Sequence, residues 1–343
     1  MVDLDAGIHG TIERALSATW VNTDAEAETV REQDCEGIGM AAGSIAFFRD
    51  RYVPLEEATV SIATHALNYG TGCFEGLRAY YNDEEHRSYI FRMAEHYERL
   101  LDSCHILRIA VPYSVEDLCA ITLEVMRRNQ LEEDAYIRPL AFKAEPLIKV
   151  TLEGIEDAFG LFVMPFGEYL PLQGIRVVTS SWRRIDDNAI PARAKVTGSY
   201  VNTALAVSDA HAAGFDDCIF LNSDGHVSEG SAANLFMVRD GQLITPPITD
   251  NLLEGITRES LMALAVDHGL AVSERHIDRS ELYVADEVFL AGTGVQVVPV
   301  VEIDNRLVAG GNEGPITKML KSAYLLAARG NDPAHRTWVT PVA

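Results

Sequence analysis

The second half of the chain alternates short apolar runs with helix-like runs, and this alternation restricts the fold more than any other feature. A strand-like run at 175–181 is followed by helix-like runs at 200–213 and 257–268, with further apolar runs between them. Another helix is predicted at 315–329, where proline stands at the start and Gly330 follows the end. The pattern predicts an α/β chain of the α+β type.

The first half adds strands and two amphipathic helices to this pattern. Residues 94–109 carry apolar side chains at helical spacing, and Ser114 begins a second helix with an acidic residue three positions on. Tyr136 and Arg138 stand two apart in a strand-like run, so both are expected on the same face of the strand. Segment 65–76 is rich in glycine and aromatic residues and is expected to be a loop.

The length of 343 residues, of which 48% are hydrophobic, is enough for two domains with buried cores. Segment 167–174 contains Pro171 and two glycines and is the expected linker. The expected units are an acidic N-terminal extension (1–40), a small N-terminal α/β domain (41–166), this linker, and a larger C-terminal α/β domain (175–343).

Charge and composition argue against several classes of function. The formal net charge, 28 − 51 = −23, disfavours binding to nucleic acid or to an anionic membrane. The sequence has no uncharged apolar run of about 18 residues, and its acidic start does not resemble a secretory signal. The five cysteines show neither C-x-x-C nor zinc spacing, so we expect no metal site and reduced thiols in the cytoplasm.

Lysine is rare in this chain, and one of its five lysines, Lys195, stands in a short loop between a strand-like run and a helix-like run. A lysine amine can form a Schiff base with a carbonyl group, whereas arginine cannot. Taken alone, a loop lysine is more often a solvated surface residue. The residues elsewhere in the chain favour the chemical role.

Two glycine-containing turns offer amide and hydroxyl donors to an anion. Ile256 and Thr257 follow Gly255 at the start of a predicted helix, where the first amides are unpaired and the helix dipole favours negative charge. Thr293 and Gly294 directly follow an apolar strand. An ordinary threonine N-cap and a plain tight turn are the alternative interpretations.

Two charged residues could complete a cofactor site. Arg99 lies on the first amphipathic helix and suits a phosphate group, although a solvated ion pair with nearby acids is the alternative. Glu229 stands among small residues between apolar strands. It is therefore either exposed in a loop or paired with a cation, such as a protonated pyridine nitrogen.

A further group of residues could form an apolar pocket with one cation. Such a pocket would bind a carboxylate beside an aliphatic or aromatic body. Each member is individually more typical of core packing. The candidates are Tyr69, Phe74, Tyr136, Arg138 and Tyr169.

Three blocks, 65–78, 135–140 and 229–258, occur in the order and spacing of one enzyme family. With them, residues 43–329 resemble the branched-chain amino-acid aminotransferases, which are class IV, fold-type IV pyridoxal-phosphate enzymes. The resemblance implies a two-domain fold-type IV architecture with the active site between the domains. It also implies ping-pong transamination between L-leucine, L-isoleucine or L-valine and 2-oxoglutarate, with pyridoxal 5′-phosphate as cofactor.

The resemblance also implies roles for individual residues. Lys195 would hold the cofactor covalently and act as the catalytic acid and base, Tyr200 would bond its phenolate oxygen, and Glu229 would bond its ring nitrogen. The implied phosphate ligands are Arg99, Ile256, Thr257 and Thr293, and the implied substrate residues are Tyr69, Phe74, Arg78, Tyr136, Arg138, Tyr169 and Gly294.

A homodimer or a dimer-based hexamer is implied as well, because the family builds its active site at a dimer interface, where Tyr69 would reach the neighbouring subunit's site. Other activities on the same fold stay open. They are a D-amino-acid transaminase, an (R)-amine transaminase and an aminodeoxychorismate-type lyase. A non-catalytic cofactor-binding relative is disfavoured because the lysine and its cofactor partners are all present.

Overall fold

The computed structural model of the chain describes residues 43–167, 170 and 173–342. Its strands form two sheets and are numbered here in chain order. They are β1 (Ile45–Phe48), β2 (Arg51–Pro54), β3 (Gly72–Phe74), β4 (Leu77–Asn82), β5 (Arg87–Phe91), β6 (Ala135–Lys143), β7 (Asp157–Pro165), β8 (Ile175–Arg183), β9 (Asp217–Leu221), β10 (Val227–Gly230), β11 (Asn234–Arg239), β12 (Gln242–Thr245), β13 (Val272–Glu274), β14 (Glu287–Gly292), β15 (Gln296–Ile303), β16 (Arg306–Leu307) and β17 (Val339–Pro341).

The helices connect these strands and show the predicted end signals. The Ser114 hydroxyl accepts a hydrogen bond from the Asp117 amide, and the Asp117 carboxylate accepts one from the Ser114 amide, which completes a capping box. The last helix starts with Pro315, and Gly330 follows it with φ of 73°. The α-helices are α1 (His65–Tyr69), α2 (Met93–Ile106), α3 (Val115–Asn129), α4 (Tyr200–Ala212), α5 (Ile256–Asp267) and α6 (Pro315–Ala328).

The first sheet has the strand order β17-β5-β4-β6-β7-β1-β2, with β3 paired to β6 beside this path. Helices α2 and α3 pack against it, because Tyr97 and Leu100 on one helix and Leu118 and Val125 on the other share a buried core with Leu77 of β4. The C-terminal strand β17 joins this sheet through β5. Residues 339–341 are thereby held beside strands from the first half of the chain.

The second sheet has the order β10-β9-β8-β15-β14-β11-β12-β13, with β16 paired to β15. Its pairs β8–β9, β8–β15 and β12–β13 are parallel, and the other pairs are antiparallel. Helix α4 connects the parallel strands β8 and β9, as a parallel pair requires. Helices α5 and α6 contribute Leu261 and Leu320 to a core with Phe236 and Phe289.

The mixed α/β prediction is confirmed, and most predicted elements lie within about two residues of the observed ones. Segment 65–76 is an exception, since it contains α1 and β3 rather than a loop. Both elements are too short to show a periodic pattern. Helix α1 ends after one turn because Gly70 adopts a left-handed conformation with φ of 65°.

The structure decides between two pairs of interpretations that the sequence left open. Glu229 lies on strand β10 and is paired with a cation, Arg184, rather than exposed in a loop, and helix α5 is capped by Gly255 rather than by Thr257. The sequence patterns also missed β15, which lies between β8 and β14. Pro299 within this strand is atypical of a central position, because proline cannot donate to the ladder.

The division into domains and a linker stays a prediction. The acidic extension 1–40 and part of the linker, including Tyr169 and Pro171, lie outside the described residues. None of the helices in the described ranges has the length and apolar character that crossing a bilayer requires.

Asp217 at the start of β9 is a buried acid with an unusual pKa. Its Oδ1 accepts a hydrogen bond of 2.7 Å from the Cys218 amide. Burial raises the pKa of Asp217 to about 6, although hydrogen bonds from Ser231 and Cys218 oppose the shift. The folded protein therefore binds a proton between about pH 4 and about pH 6 that the unfolded chain releases, so this group lowers stability as pH rises through that interval.

We expect Asp217→Asn to raise the free energy of unfolding at about pH 8 by up to about 3 kcal/mol, because no buried charge then forms. The gain should shrink as pH falls towards about 4, where the wild-type carboxyl group is protonated in the folded state. Urea unfolding across this pH range measures it. Asp224→Asn, in an exposed turn, is the control. A gain in the free energy of unfolding that does not change with pH would contradict the raised pKa of Asp217.

Candidate active site

Residues from both sheets line a cavity of about 520 Å³. This volume lies within the usual range for sites that bind small molecules and cofactors. Most of the predicted site residues meet here, although they come from distant parts of the sequence. Those that line the cavity are Phe74, Arg99, Tyr136, Arg138, Lys195, Tyr200, Glu229, Ile256, Thr257, Thr293 and Gly294.

The loop that carries Lys195 is held by the segment before β4 and by helix α2. The Lys195 carbonyl accepts a hydrogen bond of 3.1 Å from the Phe74 amide, and the Lys195 amide donates one to Ser103 Oγ at 3.2 Å. The Lys195 Nζ atom lies 5.1 Å from the centre of the Phe74 ring and 5.6 Å from that of Tyr200. Backbone hydrogen bonds on both sides therefore fix the position of an amine in aromatic surroundings.

Glu229 is buried, and neighbours hold both of its carboxylate oxygens. Oε1 lies 2.8 Å from Arg184 Nη2, while Oε2 accepts hydrogen bonds from Asn234 Nδ2 at 3.1 Å and from the Leu253 amide at 3.3 Å. Burial raises the pKa of Glu229, and the Arg184 guanidinium is the largest opposing influence. The carboxylate is thus oriented by three donors from separate segments.

The start of helix α5 offers backbone amides to the cavity. Its N-cap, Gly255, provides no side-chain hydrogen bond, so the amides of the first turn remain available to an anion. A Cβ atom at this position would lie 1.9 Å from Asn234 Oδ1, which explains the glycine. Arg99, Ile256, Thr257 and Thr293 together are called the anion cup below.

The guanidinium group of Arg99 is fixed by a fully buried carboxylate. Its Nε and Nη2 atoms donate to the two oxygens of Glu75 at 2.7 and 2.9 Å, and Nη1 donates to the Glu254 carbonyl at 2.6 Å. Burial alone would raise the pKa of Glu75, but Arg99 and a hydrogen bond from His96 lower it below its usual value. Burial lowers the pKa of His96, so a neutral ring donates Nδ1–H to the ionised Glu75.

Tyr136 and Arg138 line the cavity from one face of β6, as their spacing predicts. Arg138 lies 4.4 Å above the Phe74 ring and donates through Nη2 to the Tyr136 hydroxyl at 3.0 Å. Its Nε is buried and has no partner among the described residues. A buried, unpaired guanidinium donor fits an anionic ligand. Gly76 leaves space here, since a Cβ atom would lie 2.0 Å from the Tyr136 hydroxyl.

Three predicted residues are not among the described residues that line the cavity. Arg78 is buried behind the wall, where it donates to the carbonyls of Gly294, Phe166 and Gly167 at 3.2, 3.1 and 2.9 Å. Tyr69 is partly exposed beside His65. Tyr169 lies outside the described residues.

The sequence interpretation gave no role to two residues that shape the site. Arg184 contacts Glu229, and Glu75 orients Arg99. Arg184 directly follows β8, and residues at the carboxyl ends of parallel strands are common in ligand sites. Its position after a strand was therefore the sequence signal that could have identified Arg184 as a site residue. Glu75 lies inside a block that identified the family, but nothing in the sequence showed its burial.

Comparisons with known proteins agree with this geometry. The family model of amino-transferase class IV matches residues 72–303. The chain therefore belongs to the class IV aminotransferases.

Individual relatives indicate which family within this class the chain resembles. A probable branched-chain-amino-acid aminotransferase of Aquifex aeolicus is 48% identical over 299 residues, covering 87% of this chain and 96% of the relative. The crystal structure of the Thermoproteus uzoniensis branched-chain aminotransferase with norvaline has a TM-score of 0.84 and 42% identity, covering 87% of this chain and 99% of its own. The crystal structure of the Thermobaculum terrenum branched-chain amino acid aminotransferase, in its PLP-form, has a TM-score of 0.84 and 36% identity, covering 88% of this chain and 99% of its own.

Within its class, the chain belongs to the branched-chain aminotransferase family. The family resemblance found in the sequence is thereby confirmed, and so is the fold-type IV class.

We expect Glu75→Gln to lower the free energy of unfolding by about 3–5 kcal/mol, because the mostly buried Arg99 loses its counter-charge. Chemical denaturation at neutral pH measures the loss. Glu153→Gln is the control, since Glu153 forms an exposed ion pair with Arg108 and such pairs contribute little. Equal effects of the two substitutions would contradict the structural role of the Glu75–Arg99 pair.

Proposed function

We propose that this chain is a pyridoxal-5′-phosphate-dependent aminotransferase that transfers the amino group of L-leucine, L-isoleucine or L-valine to 2-oxoglutarate by a ping-pong reaction. One observation carries the proposal, namely that a single cavity brings together the Lys195 amine, the Glu229 carboxylate and the anion cup. The aldehyde, the ring nitrogen and the phosphate of the cofactor require these three kinds of group. The residues present therefore fit the cofactor.

Each residue contributes a separate function to the reaction. When bound, pyridoxal phosphate supplies an electron sink for the bond broken at the substrate α-carbon. Lys195 Nζ would hold the aldehyde carbon of the cofactor, and its free amine would take the proton from the substrate α-carbon. Glu229 would hold a proton on the ring nitrogen, and Tyr200 would donate a hydrogen bond to the phenolate oxygen.

The substrate part of the cavity combines apolar walls with one cation. Phe74 and Tyr136 provide aromatic surface for a branched aliphatic side chain, and Phe166 packs on Tyr136 with ring centres 5.0 Å apart. Arg138, with its unpaired Nε, accepts the side-chain carboxylate of glutamate in the same space. This arrangement supports one site for both amino donors and accounts for the alternation of substrates in a ping-pong cycle.

The decisive experiment is borohydride reduction of the purified protein followed by peptide mapping, together with a panel of amino donors. We expect a pyridoxyl group on Lys195 and transfer from leucine, isoleucine or valine to 2-oxoglutarate. Lys195→Ala should carry no pyridoxyl label, and its rate should fall at least about 10²- to 10⁴-fold. Lys318→Ala, on the exposed side of α6, is the matched control and should retain both.

Other outcomes of the same experiment would exclude the proposal. A colourless protein that gains no chromophore with added cofactor would exclude pyridoxal chemistry. Exclusive transfer from D-amino acids or (R)-amines would identify one of the alternative transaminases. Release of pyruvate from aminodeoxychorismate would identify a lyase.

A homo-oligomer is part of the proposal, and an exposed apolar patch near Tyr69 supports it. The patch consists of Ile62 and Leu67 on one segment and Ile148 and Val150 on another, with exposed fractions of 88%, 64%, 67% and 87%. The two segments are joined by hydrogen bonds from the His65 amide to the Glu145 carbonyl and from His65 Nε2 to the Lys149 carbonyl. Exposed apolar side chains on adjoining segments are typical of a protein interface.

We expect Val150→Asp to shift the protein towards monomers in sedimentation velocity, because an acid would be buried without a partner at the interface. Val266→Asp, at an exposed position of α5, is the control and should sediment as the wild type does. Unchanged sedimentation of Val150→Asp would place the interface elsewhere. Sedimentation equilibrium of the wild type distinguishes the proposed dimer from a dimer-based hexamer.

A cytoplasmic location is also proposed. The Sγ atoms of Cys73 and Cys104 lie 3.4 Å apart in the core, and both residues are free thiols. We expect these thiols to be reduced in a cytoplasmic protein, because disulfides are rare in that compartment. Rapid alkylation before cell lysis, followed by mass mapping, would reveal a disulfide if the location were oxidising.

A further inference from the structure

Arg184 is the residue in the cavity that the proposed roles leave unexplained. It directly follows β8, and its amide donates to the Leu221 carbonyl at 2.9 Å, which fixes its backbone. Its side chain is only 14% exposed, and Nη2 lies 2.8 Å from Glu229 Oε1. The guanidinium carbon also lies 5.6 Å from the centre of the Phe220 ring. The structure thus places a buried cation directly against the carboxylate assigned to the cofactor ring.

The other partners of Glu229 do not supply this charge. Asn234 Nδ2 and the Leu253 amide are neutral donors. The charged groups that act on the carboxylate are Arg184, Lys195 and Arg99, and the influence of Arg184 is the largest of the three. Because burial favours the protonated carboxyl group, the guanidinium is the main reason that an ionised form is accessible.

We propose that Arg184 keeps Glu229 ionised and thereby keeps the shared proton on the ring nitrogen of the bound cofactor. The inference rests on the proposed function, since it assumes that the ring nitrogen bonds this carboxylate. One proton between them can belong to the nitrogen, giving an ion pair, or to Glu229, giving a neutral pair. A guanidinium 2.8 Å from the carboxylate stabilises its negative charge directly and so favours the ion pair.

Arg184 is therefore a positioning residue that acts on the reaction through Glu229. A protonated ring nitrogen is what makes the ring an effective electron sink. The competing explanation is that Arg184 only packs on Phe220 and closes the end of β8. In that case its positive charge would be irrelevant to the ionisation of Glu229.

The test compares Arg184→Met, which removes the charge, with Arg184→Lys, which keeps it. Nitrogen-15 NMR of protein loaded with ring-labelled pyridoxal phosphate reports on the proton at the ring nitrogen. Infrared spectroscopy of the cofactor-free protein reports on a carboxylic acid band, which is assigned by its absence from the Glu229→Gln double variant. Arg176→Met is the matched control, because Arg176 lies on β8, the strand that Arg184 follows, and forms an ion pair of 2.8 Å with Glu302, outside the cavity.

We expect the ring nitrogen to stay protonated between about pH 6 and about pH 9 in the wild type and in Arg184→Lys, and to lose its proton within that range in Arg184→Met. The kcat of Arg184→Met should fall at least about tenfold, while that of Arg184→Lys stays within about threefold. In the infrared spectrum of the cofactor-free protein, the carboxylic acid band of Glu229 should appear at neutral pH in Arg184→Met and in neither the wild type nor Arg184→Lys. Arg176→Met should match the wild type in every measurement.

The inference is overturned if Arg184→Met keeps both a protonated nitrogen and an ionised Glu229. It is also overturned if the Met and Lys variants lose activity equally without any spectroscopic change. A wild type without cofactor on Lys195 would refute the proposed function instead, and the infrared measurement on cofactor-free protein would still decide the role of Arg184. If Arg184→Met does not fold, Arg184→Gln replaces it in the same measurements.

Discussion

The pair formed by Glu75 and Arg99 is the interaction on which the active-site geometry depends. Glu75 lies between β3 and β4 of the first sheet, Arg99 lies on α2, and the Glu254 carbonyl that Arg99 also bonds lies just before α5. One guanidinium group thus links three elements that bound the anion cup. A buried carboxylate and a buried guanidinium are each costly to desolvate, so the pair is tolerable only because its hydrogen bonds are nearly complete. His96 Nδ1 donates a further hydrogen bond to the Glu75 carboxylate, which stays ionised and paired with Arg99.

The loop that presents Lys195 depends on close backbone approach rather than on charge. Val196 forms an isolated bridge with Cys73, and Thr197 Oγ1 donates to the Gly70 and Gly72 carbonyls at 3.0 and 3.1 Å. Gly70 is required here, since a Cβ atom at position 70 would lie 2.7 Å from the backbone of the loop. The amine therefore enters the cavity from a segment whose main chain is already fixed, and binding needs little further ordering of that segment.

The sequence alone predicted the elements whose signals are local. The capping box at Ser114 and the proline start of α6 are examples, because a helix end is defined by residues within one turn. It also identified the types of residue in the site, since their order matches one family. It could not show that Glu229 is buried, because its charged partner, Arg184, is remote in sequence and meets it only after β8 and β10 join one sheet. Strand β15 was missed for a related reason, as its central place contradicts the local signal of Pro299.

The charge of the cavity is opposite to that of the whole chain, and this contrast explains how an acidic protein can bind anions. The net charge is −23, but surface charges more than about 10 Å away are largely screened by salt. Inside the cavity the arginines differ in their partners. Arg99 is paired with Glu75, and Arg184 is paired with Glu229. Among the arginines of the described cavity lining, Arg138 donates to a neutral hydroxyl and keeps an unpaired Nε, so its charge remains available to a substrate carboxylate.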